Sequence, residues 1–287
     1  MNTTTRPVAA YRKGATIAGP LGLLKEGLAD LVSRRRLIGY LARADLRKTG
    51  SDTLFGNIWW LLDPLLQMAV YTIVVTVVFE RKQEAYPLFV FAAILPWKWF
   101  NSAISDTVTS VSGNDKLIKQ LKFPKIVLPV AAVVAGISQF VFGLVPLVGM
   151  LVLFYPHHLA WTLLLIPVVM VVQLFLNLSL GLLFAAINVF FRDISNLSRH
   201  ILRLWFYLSP VLYGADTVAK IGGHRFLGKV LGLNPFYPVL NAYRDIIYYG
   251  QLPDWSSLAV VLAGGVVATV FAVIVFKRLE PSFAKVL

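Results

Sequence analysis

The string Gly223-His224-Arg225-Phe226-Leu227-Gly228-Lys229-Val230 places two glycines and a lysine at the spacing of a nucleotide phosphate loop. Such a loop needs a Ser or Thr directly after the lysine to hold magnesium, and here that place is Val230, with no strand pattern before it. The string predicts no ATP site in this chain. The histidines offer no metal site either: His157 and His158 are adjacent rather than four apart, so a helix would not turn both to one ion, and His200 and His224 stand alone. The absence of cysteine excludes disulfides, thiol nucleophiles and Cys-based zinc sites. Asn177-Leu178-Ser179 and Asn196-Leu197-Ser198 match a glycosylation pattern, but one falls in an apolar run and the other in a basic loop. With no paired carboxylates or nucleophile motif at an accessible position, the expectation is a chain that binds no cofactor of its own.

The elements that would carry any function are membrane helices. Of 287 residues 57% are hydrophobic and 14% charged, well below the roughly 25% charged residues of soluble domains. Stretches of about 20 apolar residues span a hydrocarbon core about 30 Å thick, and six candidates stand out: Ile58 to Phe79, Leu88 to Val111, Ile126 to Tyr155, Leu159 to Phe191, Ile201 to Tyr213 and Ser257 to Phe276. The third and fourth exceed the membrane thickness, which predicts tilt or extension into the cytoplasm. The fifth is short, and the mixed stretch Gly214 to Trp255 after it contains the half-apolar segment Leu231 to Tyr249, read as a re-entrant or interfacial hairpin. The predicted fold class is all-α and polytopic, with residues 1–26 as an N-terminal tail, 27–57 as an interface helix and connection, 58–276 as the membrane domain and 277–287 as a C-terminal tail.

A net charge of +13 in a soluble protein would suggest nucleic acid; in a membrane protein it marks cytoplasmic loops, so no nucleic-acid partner is expected. With both termini in the cytoplasm, 20 of the 27 Lys and Arg fall on the inner side, including Lys119 and Arg192, while Lys82 and Arg225 lie outside. The segment Gly27 to Lys48 sets Leu28, Leu31, Ile38, Leu41 and Leu46 at helical spacing among Arg34, Arg35, Arg36, Arg43 and Arg47. It reads as an amphipathic helix on the inner leaflet, anchored to anionic lipid, transmitting motion, or both.

Several strings in order resemble the permease subunits of type-2 ATP-binding cassette exporters, particularly those moving lipid-linked O-antigen, teichoic acid or related cell-envelope glycans. They are Gly56-Asn57-Ile58-Trp59-Trp60-Leu61-Leu62-Asp63-Pro64-Leu65, Leu95-Pro96-Trp97, Leu121-Lys122-Phe123-Pro124-Lys125-Ile126-Val127-Leu128-Pro129, Phe191-Arg192-Asp193-Ile194, Leu208-Ser209-Pro210, Leu233-Asn234-Pro235 through Tyr243-Arg244, and Phe276-Lys277-Arg278-Leu279-Glu280-Pro281. The resemblance implies six spans per subunit, a pair of identical permeases in the cytoplasmic membrane, and two separate ATPase subunits below that carry the ATP and magnesium. Asp63 departs from the neutral polar residue common in that family, and reads as a paired carboxylate near the cytoplasmic interface or as part of a substrate gate.

By the same resemblance the loop Asn114 to Lys125 corresponds to the helix that couples permease to ATPase. Leu117, Ile118 and Leu121 on one side, ringed by lysines and followed by Phe123-Pro124, could seat in a groove of that partner. Arg192-Asp193 reads as a second contact with it or as an intramolecular ion pair. Trp97, Lys98 and Trp99 follow Pro96 inside the second span, where the proline frees a backbone acceptor and can kink or open the helix. A lysine there needs a polar cavity or a short route to the surface, and aromatic faces suit sugar rings, so the three are read as lining a glycan path or as the packing of a kinked helix. Rival readings are an exporter of a drug or small lipid, a secondary transporter, for which an acidic or histidine relay in mid-membrane is nearly absent, and a membrane-embedded transferase, for which metal-ligand spacing is missing.

Overall fold

The computed structural model describes residues 19–51, 55–80, 83–214 and 232–287, and among these the regular structure is helical. The loop-like string at 223–230, Lys82 and the start of the expected hairpin at Leu231 fall outside the described residues. The helices are α1 (Pro20–Ser33), α2 (Arg35–Ser51), α3 (Trp59–Ile73), α4 (Tyr86–Ser110), α5 (Asp115–Gln120), α6 (Val127–Leu153), α7 (Ile166–Phe190), α8 (Ile194–Leu208), α9 (Phe236–Arg244) and α10 (Trp255–Val286). Wider turns extend α3 over Val74–Val78 and α9 over Asp245–Tyr249.

Five helical stretches among the described residues are long and apolar enough to cross a membrane: Trp59–Val78, Tyr86–Ser110, Val127–Leu153, Trp161–Phe190 and Trp255–Val286. They coincide with five of the six expected spans. The remaining one, Ile201 to Tyr213, corresponds to α8, which starts earlier at Ile194 and stops at Leu208, before Ser209-Pro210. Its 15 residues reach about 22 Å at 1.5 Å per residue, short of the hydrocarbon core.

Helix α4 is the centre of the molecule. It lies against α3, α6, α7, α8 and α9, and 78% of its most apolar stretch is buried, against 11% for α3. Close packing is made possible by small residues opposite large ones: a Cβ on Gly143 of α6 would collide with Leu95 Cδ1, so any larger residue there would make that leucine shift. The helix continues through Pro96 without a break, and the Pro96 carbonyl accepts a hydrogen bond from Gln173 Nε2 at 2.8 Å. A side chain of α7 thus makes a polar contact with α4 at the proline.

The expected single interface helix is two. The chain leaves helical geometry at Arg34, with φ −102° and ψ 16°, and the halves pack on different spans, α1 on α10 and α2 on α6. The break lets each half turn its apolar side to its own neighbour. Likewise the residues after Phe276 are not a separate tail: α10 runs on to Val286, with Lys277 and Glu280 buried. The other end of α10 is capped by Asp254, whose carboxylate accepts hydrogen bonds from the hydroxyls and amides of Ser256 and Ser257. Those bonds lower its pKa to about 2, so the cap is present above the ordinary carboxylate range and is lost only as pH falls toward 2.

Candidate functional site

Two apolar cores divide the molecule. The larger surrounds α4; the smaller gathers Val111, Ile118, Ile126, Val189, Phe276 and Phe283 at the end that carries α5. Within the smaller core the expected coupling residues take different directions. Ile118 is buried, Leu117 and Phe123 are half-buried against it, and Leu121 points outward. Leu121 does so because the helix stops at Gln120 and Leu121 is extended. The expected common side of Leu117, Ile118 and Leu121 is therefore not formed: Ile118 holds α5 to the body and Leu121 is exposed. Lys119 bridges from α5 to the Leu287 carbonyl at 2.5 Å.

Arg192 and Asp193 stand exposed in the turn between α7 and α8, where their carbonyls accept amides of the first turn of α8. A residue not singled out from sequence, Asn188, ties this turn to the one before α5. Its Nδ2 donates to Val108 O at 3.0 Å and Ser112 Oγ at 2.9 Å, and its Oδ1 accepts the Ser195 amide at 3.1 Å. A lone asparagine within an apolar run was the available signal. Arg34, Arg35, Arg36, Arg43 and Arg47 are all exposed on the α1–α2 surface.

Trp97, Lys98 and Trp99 do not share a wall. Trp97 is buried against Phe100, Phe206 and Phe236, with ring centroids 5.4–5.6 Å apart. Trp99 is buried on the other side of α4 beside Phe140, at 5.1 Å. Lys98 pairs with Asp63 of α3 in a cavity of about 190 Å³ that Trp60, Trp99 and Gln139 also line. A carboxylate in a span is costly at the helix centre and less so near an interface; Asp63, in the first turns of α3 and 61% exposed, is paired with this lysine.

Trp97 reaches a second cavity, of about 380 Å³, between α3, α4 and α8. Gln67 and Tyr71 line it from α3, Asn101 and Ser105 from α4, and Arg199, Arg203, Phe206 and Tyr207 from α8. The helical repeat explains the set: Arg199 and Arg203, and likewise Asn101 and Ser105, are four apart and so share a face. Guanidinium groups match phosphate oxygens in pairs, while amides and aromatic faces suit sugar hydroxyls and ring C–H groups, so this cleft can receive an anionic glycan conjugate. The composition signal was present in the sequence, but α8 lies about a hundred residues from α4 and only the fold joins them.

The far end of the bundle is pinned by two polar side chains. Asn234 Oδ1 accepts Trp205 Nε1 at 2.9 Å and the Phe236 amide at 3.0 Å, while its Nδ2 donates to Ser209 Oγ at 2.9 Å. Arg244, 1% exposed, donates to the carbonyls of Val211 at 2.6 Å, Tyr213 at 2.9 Å and Phe89 at 3.4 Å, and lies 3.9 Å over the Phe89 ring. These contacts set α8, the chain after it and α9 against the start of α4.

Residues 36–248, from the second residue of α2 to the turn after α9, match the membrane family described as ABC-2 type transporter. The chain belongs to that family. It is 33% identical over 256 residues to the O-antigen export system permease protein RfbA of Myxococcus xanthus, covering 89% of this chain and 97% of that one. Two proteins of the same description from Klebsiella pneumoniae are 25% and 24% identical, each across 88% of this chain and 95% of their own. The family resemblance read from the ordered strings is thereby borne out, and the chain is a multi-pass membrane subunit of an ABC-2 transporter.

Proposed function

We propose that this ABC-2 chain is the permease of a glycan exporter in the cytoplasmic membrane, pairing with a second copy of itself and with two separate ATPase subunits, and that its cargo is a lipid-linked polysaccharide of the O-antigen type. Both termini and α5 face the cytoplasm, as the distribution of Lys and Arg requires. Leu121, Phe123, Arg192 and Asp193 meet the ATPase, Ile118 and Leu117 anchor that contact to the body, and hydrolysis takes place in the partner, which holds ATP and magnesium. The names of the Myxococcus and Klebsiella relatives support the cargo class.

The observation that carries the reading is the exposure of α3 beside the polar cleft. Leu66, Val70, Ile73 and Val77 are each more than half exposed and fall at i, i+4, i+7 and i+11, one continuous face. Gln67 and Tyr71, which line the cleft, sit along the border of that face. A second copy packed on it would close the cleft into a passage between the two, with Trp97 in its wall and the arginines of α8 at its phosphate-binding end. Lys98 and Trp99, in the neighbouring cavity, brace α3 against α4 and α6. Because the chain has no cysteine, Val70→Cys or Ile73→Cys alone can report the pairing: oxidation in membranes should give a disulfide-linked double-size species. Monomer only, with the same residues reached by lipid-soluble reagents, would assign the face to lipid and refute the passage.

A further inference from the structure

Lys277 lies near the end of α10, 6% exposed, with three carboxylates around its ammonium: Glu280 at 2.7 Å, Asp30 at 2.8 Å and Glu26 at 3.0 Å. Glu280, itself almost wholly buried, uses its second oxygen to accept the backbone amide of Lys125. One buried cation thus joins three elements, α1, α10 and the loop that follows α5. Glu26 and Asp30 are four residues apart on α1, a like-charged spacing that weakens an isolated helix, so the pair is explained by the ammonium inserted between α1 and α10. Gly27 permits the approach: a Cβ there would lie 2.7 Å from Val273 Cγ1 and 3.3 Å from Lys277 Cγ. The contact between α5 and α10 is doubled by Lys119 on the Leu287 carbonyl.

We propose that Lys277 and Glu280 are positioning residues of the transport cycle, forming a relay that makes α1, the last turns of α10 and the α5 loop move as one body. This rests on the reading of α5 as the ATPase contact. A loop of extended residues between α5 and α6 would otherwise yield when α5 is displaced; Glu280 holds that loop by its backbone, and Lys277 passes the displacement to α1. The four charged side chains of the relay, Glu26, Asp30, Lys277 and Glu280, lie outside residues 36–248, the region of the family match, while the loop they hold lies inside it.

The test uses the full chain, tagged and co-purified with its ATPase, with phosphate release measured on the complex and surface glycan measured in the same cells. Lys277→Met should leave hydrolysis in place while glycan exported per ATP hydrolysed falls about fivefold or more, the lower end of ordinary coupling strengths. Lys277→Arg should restore the ratio, and so should Lys277→Glu combined with Asp30→Lys, which keeps one cation among three carboxylates. A normal ratio in Lys277→Met overturns the relay, as does failure of both restorations. Should Lys277→Met not accumulate in the membrane, Glu280→Gln decides: uncoupling supports the relay and a normal ratio refutes it. Leu121→Asp serves as the separate control, since a normal complex, hydrolysis and export in that variant would refute the α5 reading itself, whatever the Lys277 variants do.

Discussion

Among the described residues one cation is buried near each end of the molecule, and the two are held in opposite ways. Arg244 is surrounded by backbone carbonyls from the start of α4 and from the chain after α8; Lys277 is surrounded by carboxylate side chains from α1 and α10. A planar guanidinium has five donors in a fixed fork and can meet several carbonyls at set angles. An ammonium on a flexible stem has three donors that follow whatever acceptors surround it. The first arrangement fixes the course of a segment that has no regular structure of its own. The second ties together helices that each have their own, which is what a moving joint needs.

Exchanging the two cations should separate these roles most sharply. Arg244→Lys leaves buried carbonyls unmet, at about 1–3 kcal/mol for each group left unsatisfied, and should be lost from the membrane or melt well below the parent in detergent. Lys277→Arg should accumulate and melt like the parent. Equal tolerance of both exchanges would erase the distinction between a fixed and a movable end.

Asn234→Leu is the next largest. It removes the acceptor shared by the Trp205 indole and the Phe236 amide and the donor to Ser209, an expected loss of about 1–3 kcal/mol. Thermal melting should register it, and proteolysis should open first between α8 and α9. At the other end, Gly27→Val forces a methyl group against Val273, with a strain of about 1–3 kcal/mol in a packed contact that α1 can relieve by lifting from α10. Cleavage within α1 by added protease should therefore rise while the melting of the spans stays near the parent value.

The smallest effect belongs to the pair Asp63 and Lys98. Its carboxylate is 61% exposed in the single chain, so the double neutral variant Asp63→Asn with Lys98→Met should melt within about 1 kcal/mol of the parent, the range for open ion pairs. Asp63→Asn alone, which leaves the lysine unpaired, should be the worse of the two. A double variant less stable than the single one would mean that the pair carries more of the α3–α4 contact than its exposure allows.

Much of the fold was legible because a membrane dictates it. Runs near 20 apolar residues with basic loops between them located five spans, to within a few residues except at the end of α10, because a helix satisfies its own backbone in hydrocarbon. Where the chain leaves that regime the pattern misleads. Lys277 looked like the end of α10, yet the helix continues because three carboxylates receive the charge, one of them 247 positions away on α1. Ser209-Pro210 ends α8 in the middle of an apolar run, and the sequence between Ile201 and Tyr213 cannot show that Asn234 and Arg244 will catch the chain beyond it. The site divides in the same way. Trp97, Lys98 and Trp99 are consecutive, and consecutive helix residues point about 100° apart, so one lines the α3–α4–α8 cleft while the other two line its neighbour. Arg199 and Arg203, the cations of that cleft, lie about a hundred residues from Trp97, and nothing local in the sequence ties them to it.

The most direct measurement of the central claim is where the glycan touches the chain during export. A photo-crosslinking amino acid at Asn101, in the cleft between α3, α4 and α8, and another at Gln139, in the cavity of Asp63 and Lys98, can be compared in cells actively exporting with their ATPase present. The account predicts a glycan-bearing adduct at position 101 that disappears when the ATPase is inactivated, and little or none at position 139. An adduct at 139 with none at 101 would contradict it and move the passage to the other side of α4.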